Sequence, residues 1–192
     1  MTVLVLGLLV FLGAHSVRIL ADDWRARRIA VMGPGAWKGL FSVVSIVGFV
    51  LIVWGYGLSR AAPVDLWHPP VWTRHLASLL NLAAFVLLAA AYVPRNRIKA
   101  SLGHPMVLGV KAWALAHLLS NGRLADVMLF GAFLLWAVFD YRAARRRDRA
   151  GRARRVPGTL AGDAVAVVAG ALAWGVFAFW LHGAWIGVRP FG

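Results

Sequence analysis

The side chains able to do chemistry in this chain of 192 residues are six histidines, His15, His68, His75, His104, His117 and His182, and one lysine set in an apolar run, Lys111. Cysteine is absent, which removes disulfides, thiolate metal ligands and a cysteine nucleophile. A neutral imidazole coordinates a metal without burying negative charge, so histidine is the ligand best suited to an iron held among apolar helices. With no cysteine attachment motif, a haem here would be non-covalent, of the b type, and ligated by one or two histidines inside a bundle. Interior histidines also serve proton relays and plain interhelical hydrogen bonds, and residue type alone leaves those uses open.

Spacing sorts the candidates further. In GHPMVLGVKAWALAHLLSNG, residues 103–122, Gly109, Trp113, His117 and Asn121 recur every four positions and therefore share one helix face. Such a stripe can wall a flat cofactor. Equally, Gly109 can let two helices approach closely while His117 bonds a neighbouring helix. His104 and Lys111, seven apart, share another face. Lys111 can snorkel to the nearer interface or hold a ligand carboxylate. Gly162, Ala166, Gly170, Trp174, Ala178 and His182 form a mostly small-residue stripe of the kind that mediates helix association.

The elements that must position these residues are read from uncharged runs. The chain is 61% hydrophobic and 15% charged, beyond the roughly half-apolar composition of soluble domains. A helix needs ~20 apolar residues to cross a ~30 Å hydrocarbon core. Residues 1–17, 39–59, 76–94 and 164–188 carry no Lys, Arg, Asp or Glu. Two weaker runs follow the same logic: 105–122, which contains Lys111, and 124–141, which contains Asp126 and Asp140 near its ends. Pro105 suits a first helical turn and Asn121-Gly122 a helix stop, so this pair reads as a tight helical hairpin. The expected fold is an all-α, polytopic transmembrane bundle of about six helices, one domain over residues 1–192. The first run lacks the basic start of a cleaved signal peptide and reads as a retained helix.

A net charge of +14 would suggest nucleic acid in a soluble protein. Here the charges fall between apolar runs, which points to connections facing an anionic leaflet and not to nucleic acid. Assigning alternate connections to opposite sides places sixteen Lys and Arg on one side and four on the other. The positive-inside rule then puts the basic connections in the cytoplasm and both termini outside. The run from Arg142 to Arg155 reads as a solvated basic loop. Trp24, Trp37, Trp67, Trp72 and Trp185 fall near the expected interfaces, where indole is favoured.

Three segments carry a resemblance: GAHSVR at 13–18, WHPPVWTRHL at 67–76 and, most specifically, GHPMVLGVKAWALAHLLSNG at 103–122. They resemble the NnrU membrane proteins, which are similar to the plant zeta-carotene isomerases, and the likeness extends over nearly the whole chain. For the bacterial branch it implies an inner-membrane protein with a role in denitrification and nitric oxide metabolism. For the plant branch it implies haem-dependent double-bond isomerisation. A haem-free assembly or transport helper for a respiratory reductase, with reductase components as partners, stays open beside these. In the resemblance His15 and His117 are the axial, iron-ligating pair. By helical rise His15 lies ~20 Å and His117 ~7 Å from the outer side, so His15 with His104, or His75 with His117, is better matched in depth, and His104 is the reserve ligand. Lys111 is the candidate partner of a haem propionate.

Overall fold

The computed structural model describes residues 1–151 and 156–191. In lipid a backbone N–H has no solvent to bond, so an apolar run is stable only where its own carbonyls satisfy it, as a helix. The described residues form seven α-helices and a terminal π-helical segment: α1 (Thr2–Leu20), α2 (Asp22–Ser59), α3 (Trp72–Tyr92), α4 (Arg97–Leu102), α5 (Pro105–Ser120), α6 (Leu124–Gly151), α7 (Leu160–Val176) and the π segment (Phe177–Ile186). They contain no strand, only two isolated bridges. Five helices are long and apolar enough to cross a membrane, α7 counting together with the π segment, and α5 is a shorter apolar helix. The protein is an all-α helical membrane bundle, as the apolar runs require.

Two connections expected as loops are helical. Residues 22–32 form the first part of α2, which bends at Gly33 (φ 82°, ψ 156°) before Pro34. Asp22 and Asp23 occupy its first turn, where acidic side chains favour the helix dipole. The basic run after Asp140 continues α6 as far as Gly151; residues 152–155 lie outside the described residues. Alanine and arginine are strong helix formers. Ala143 and Ala144 are buried on one face while Arg142, Arg146 and Arg149 point outward, so solvation of the charges does not require unwinding.

The described residues fall into two compact units. The first comprises Met1–Trp67 and Gly122–Asp140. Within it α1 and α2 run antiparallel with glycine at each close approach. A Cβ on Gly7 would lie 2.5 Å from the Ile52 nitrogen, one on Gly48 2.7 Å from the Phe11 nitrogen, and one on Gly55 would run into the Leu4 backbone. Without side chains at these points the helices meet backbone to backbone, the main source of attraction where lipid supplies no hydrophobic drive. The start of α6 is tied to the segment after α2: Leu66 N–H donates to Gly122 O (2.8 Å) and Leu124 N–H to Val64 O (2.9 Å). Arg123 Nε pairs with Asp65 Oδ1 at 3.3 Å.

The second unit comprises His68–Asn121 and Tyr141–Gly192, with α3 packed on α5 and on α7. Gly109 meets the Ala84 carbonyl, 3.0 Å from where its Cβ would be, and Gly170 meets Val86 at 2.5 Å. Gly109 and Gly170 therefore serve close helix packing. A polar node ties the turn before α4 to the start of α7. Asn96, 2% exposed, donates to the Ala90 and Val93 carbonyls (2.9 and 2.6 Å) and accepts from Lys99 N–H (2.6 Å). Asp163 accepts from Arg97 N–H (2.6 Å) and Ile98 N–H (3.2 Å), and Thr159 N–H donates to Arg95 O (2.7 Å). These bonds satisfy helix-terminal groups that lipid would leave orphaned.

Candidate functional site

His15 sits near the end of α1 in an aromatic surround supplied by the first unit. Its ring stacks on Phe11 (centroids 4.2 Å, 25° between planes), meets Phe41 of α2 edge-on at 4.9 Å and lies perpendicular to Trp136 of α6 at 6.0 Å. Its Nδ1 is 2.7 Å from the Phe11 carbonyl one turn earlier. A carbonyl only accepts, so Nδ1 carries the proton and the lone pair of the neutral ring is on Nε2.

The α1–α2 register adds a second feature. Leu4 faces Gly55, Gly7 faces Ile52 and Phe11 faces Gly48, so the same antiparallel spacing sets His15 level with Val44 and Ser45. The Ser45 hydroxyl and the Trp136 indole nitrogen are both buried without a hydrogen-bond partner among the described residues. Other helical serines behave differently: Ser59, Ser101 and Ser120 donate back to the carbonyls of Tyr56, Ile98 and Ala116. A buried polar group left without a partner is costly, at about 1–3 kcal/mol.

His117 repeats the His15 arrangement in the second unit. Its Nδ1 is 2.9 Å from the Trp113 carbonyl one turn earlier, and its ring lies 5.4 Å from the Trp113 indole. The proton is again on Nδ1 and the lone pair on Nε2. Asn121 closes the helix by donating to the His117 carbonyl at 2.9 Å. The stripe read from the sequence thus has distinct roles along it: Gly109 packs, the Trp113 carbonyl fixes the His117 ring, and Asn121 closes the helix.

His104 and Lys111 come together around one residue of α6, Tyr141. The Lys111 ammonium stands 4.2 Å from the centre of the Tyr141 ring, a cation–π contact, and the His104 ring is edge-on to the same tyrosine at 6.3 Å. His104 Nε2 lies 3.1 Å from Asp148, which also pairs with Arg145 at 3.5 Å. That Nε2 is held by a carboxylate, which leaves Nδ1 as the nitrogen His104 would offer a metal, and the pair joins the cap of α5 to the end of α6. His104, Lys111 and His117 belong to the second unit and His15 to the first. His182 points Nδ1 at the Val188 carbonyl (2.6 Å), and His68 and His75 are exposed.

One buried pair has no obvious signature in the sequence. Asp126, 3% exposed, accepts from the Tyr56 hydroxyl at 2.5 Å and from Arg123 N–H at 3.3 Å. The second bond is half of a capping box and is legible from the position of Asp126 in the first turn of α6. The first joins residues 70 apart and depends on packing.

Among the described residues no group of three or more His, Asp or Glu is placed to hold a bare metal ion. No curated protein and no solved structure matches the chain. The profile of the NnrU protein family matches residues 3–190, taking in α1 with His15, the α5 segment with His117 and all the apolar helices between and beyond, and the chain belongs to that family.

Proposed function

We propose that this NnrU-family membrane protein binds b-type haem through histidine, with His15 and His117 as the ligand candidates, and supports denitrification and nitric oxide metabolism in the bacterial inner membrane. The observation that carries the reading is shared by the two residues. Each imidazole donates Nδ1–H to the carbonyl one turn earlier, which fixes the ring and leaves the lone pair on Nε2. This is the outer-shell arrangement that orients a ligating histidine.

The fit is supported by the surroundings as well. A porphyrin supplies four nitrogens of its own, so one or two histidines suffice where a bare ion would need a cluster. Phe11, Phe41 and Trp136 offer His15 flat apolar walls, and the orphaned Trp136 and Ser45 groups offer donors to a polar substituent. Lys111, whose ammonium rests on Tyr141, is the proposed partner of a propionate. His104, whose Nε2 is held by Asp148, is the reserve ligand and would coordinate through Nδ1. When bound, haem would supply an iron able to take nitric oxide. The orientation belongs to the same proposal: termini outside, basic connections in the cytoplasm.

Absorption spectra of the purified protein test it. A Soret band is expected, lost or strongly shifted in His15→Ala and His117→Ala and unchanged in His68→Ala. Colourless protein from haem-replete cells would instead favour the assembly-helper reading. Nitrite consumption should fall in a deletion strain and return with wild type but not with His117→Ala. Normal nitrite consumption together with isomerisation of a supplied poly-cis carotenoid would replace the denitrification role with the isomerase one.

A further inference from the structure

Residues 22–32 are helical, yet they are set off from the apolar helices on both sides by non-helical backbone. Ala21 (φ −143°, ψ 48°) separates them from α1, and Gly33 (φ 82°), followed by Pro34, separates them from the rest of α2. At ~1.5 Å per residue this arm is only ~16 Å long. Both of its ends are attached to membrane-spanning helices, so the arm has no reach beyond the headgroup region.

The faces of the arm differ. Asp22, Arg25 and Ile29 are partly covered, with Asp22 and Arg25 paired at 3.7 Å. On the opposite side Trp24 and Val31, seven residues apart and hence on one line, are 42% and 83% exposed. Arg27 and Arg28 flank that line at roughly 40–60° on either side of it by helical geometry. An apolar centre with arginines at its edges is the pattern of a helix lying in a membrane interface, its indole among the headgroups and its guanidinium groups reaching to phosphate.

An aromatic cluster holds the bend. The Trp24 and Trp37 rings meet edge to face at 6.0 Å across Gly33, Arg28 stands 5.5 Å from the Trp24 ring and Arg25 6.0 Å from the Trp37 ring. From Arg18 to Lys38 the chain carries five basic residues against two acidic ones, Asp22 and Asp23. The excess of positive charge, the narrow apolar line and the tether at both ends all fit one occupant.

We infer that residues 22–32 form an interfacial arm whose Trp24–Val31 line enters the headgroup layer and whose Arg27 and Arg28 bind anionic phospholipid. The chain has no native cysteine, so a single Val31→Cys carrying an environment-sensitive fluorophore reports on the arm in the full-length protein. Nanodiscs of phosphatidylcholine alone are compared with nanodiscs also containing phosphatidylglycerol, with acrylamide as a neutral aqueous quencher and Ala62→Cys as the wet reference. The label at 31 is expected to be several-fold less quenched than that at 62, and to become still less quenched when phosphatidylglycerol is present. Adding Arg27→Gln and Arg28→Gln should remove the phosphatidylglycerol effect, while Arg27→Lys and Arg28→Lys should retain it. Quenching at 31 equal to that at 62 in both lipids overturns the arm. An effect of phosphatidylglycerol that survives the double glutamine variant overturns the role of the two arginines.

Discussion

The Tyr56 hydroxyl and the Asp126 carboxylate, 70 residues apart in the chain, meet at 2.5 Å and join α2 to the first turn of α6. Asp126 is almost fully covered, so its oxygens depend on Tyr56 and the Arg123 amide in place of water. Tyr56→Phe removes one of these donors and should cost about 1–3 kcal/mol, read as a fall in the thermal unfolding midpoint in detergent. Asp126→Asn keeps an acceptor for Tyr56 and should cost less. Equal stability of Tyr56→Phe and wild type would mean that the pair contributes nothing.

The buried hydroxyl of Ser45 and indole nitrogen of Trp136 have no partner among the described residues. Replacing an orphaned polar group with an apolar one is neutral or stabilising in the ligand-free protein, so Ser45→Ala should unfold at the same or a slightly higher temperature. If these groups instead serve a bound haem, Ser45→Ala and Trp136→Phe should release it more readily to apomyoglobin. Haem release unchanged in both variants would remove them from the proposed site.

Glycines in the α1–α2 seam and those facing outward should respond oppositely to alanine. Gly48→Ala forces a methyl group against the Phe11 backbone and should destabilise by about 1–3 kcal/mol. Gly57 has open space where its Cβ would be; there alanine should stabilise by ~0.5–1 kcal/mol through its better helix propensity. Matching changes at the two positions would contradict the backbone-to-backbone seam.

Topology is testable with single cysteines, because none is native. Ser59 is buried, whereas Ala62 and Ala150 are exposed and lie in connections of opposite expected side. An impermeant thiol reagent added to intact cells should label Ala62→Cys and not Ala150→Cys. Labelling of position 150 alone would invert the proposed orientation.

What the sequence determined by itself is the part governed by lipid. Runs without charge must become helices because hydrocarbon offers the backbone no other partner, so the apolar elements and the stop at Asn121-Gly122 were legible, as were the motifs around His15 and His117 that mark the family. The four-residue recurrence of Gly109, Trp113, His117 and Asn121 also follows from helical geometry alone. It left open what each member does, and tertiary structure decided this by setting Gly109 on Ala84. The same holds for the basic connections. Charge identified them as lying outside the hydrocarbon, but whether they coil or wind depends on a covered face, and Ala143 and Ala144 receive one. The Tyr56–Asp126 pair, the Asn96–Asp163 node and the aromatic surround of His15 join residues far apart in the chain. Periodicity speaks only of faces within one helix, whereas these contacts are set by which helices pack and in what register, and glycines such as Gly7, Gly48 and Gly55 fix that register by allowing approach only where they occur.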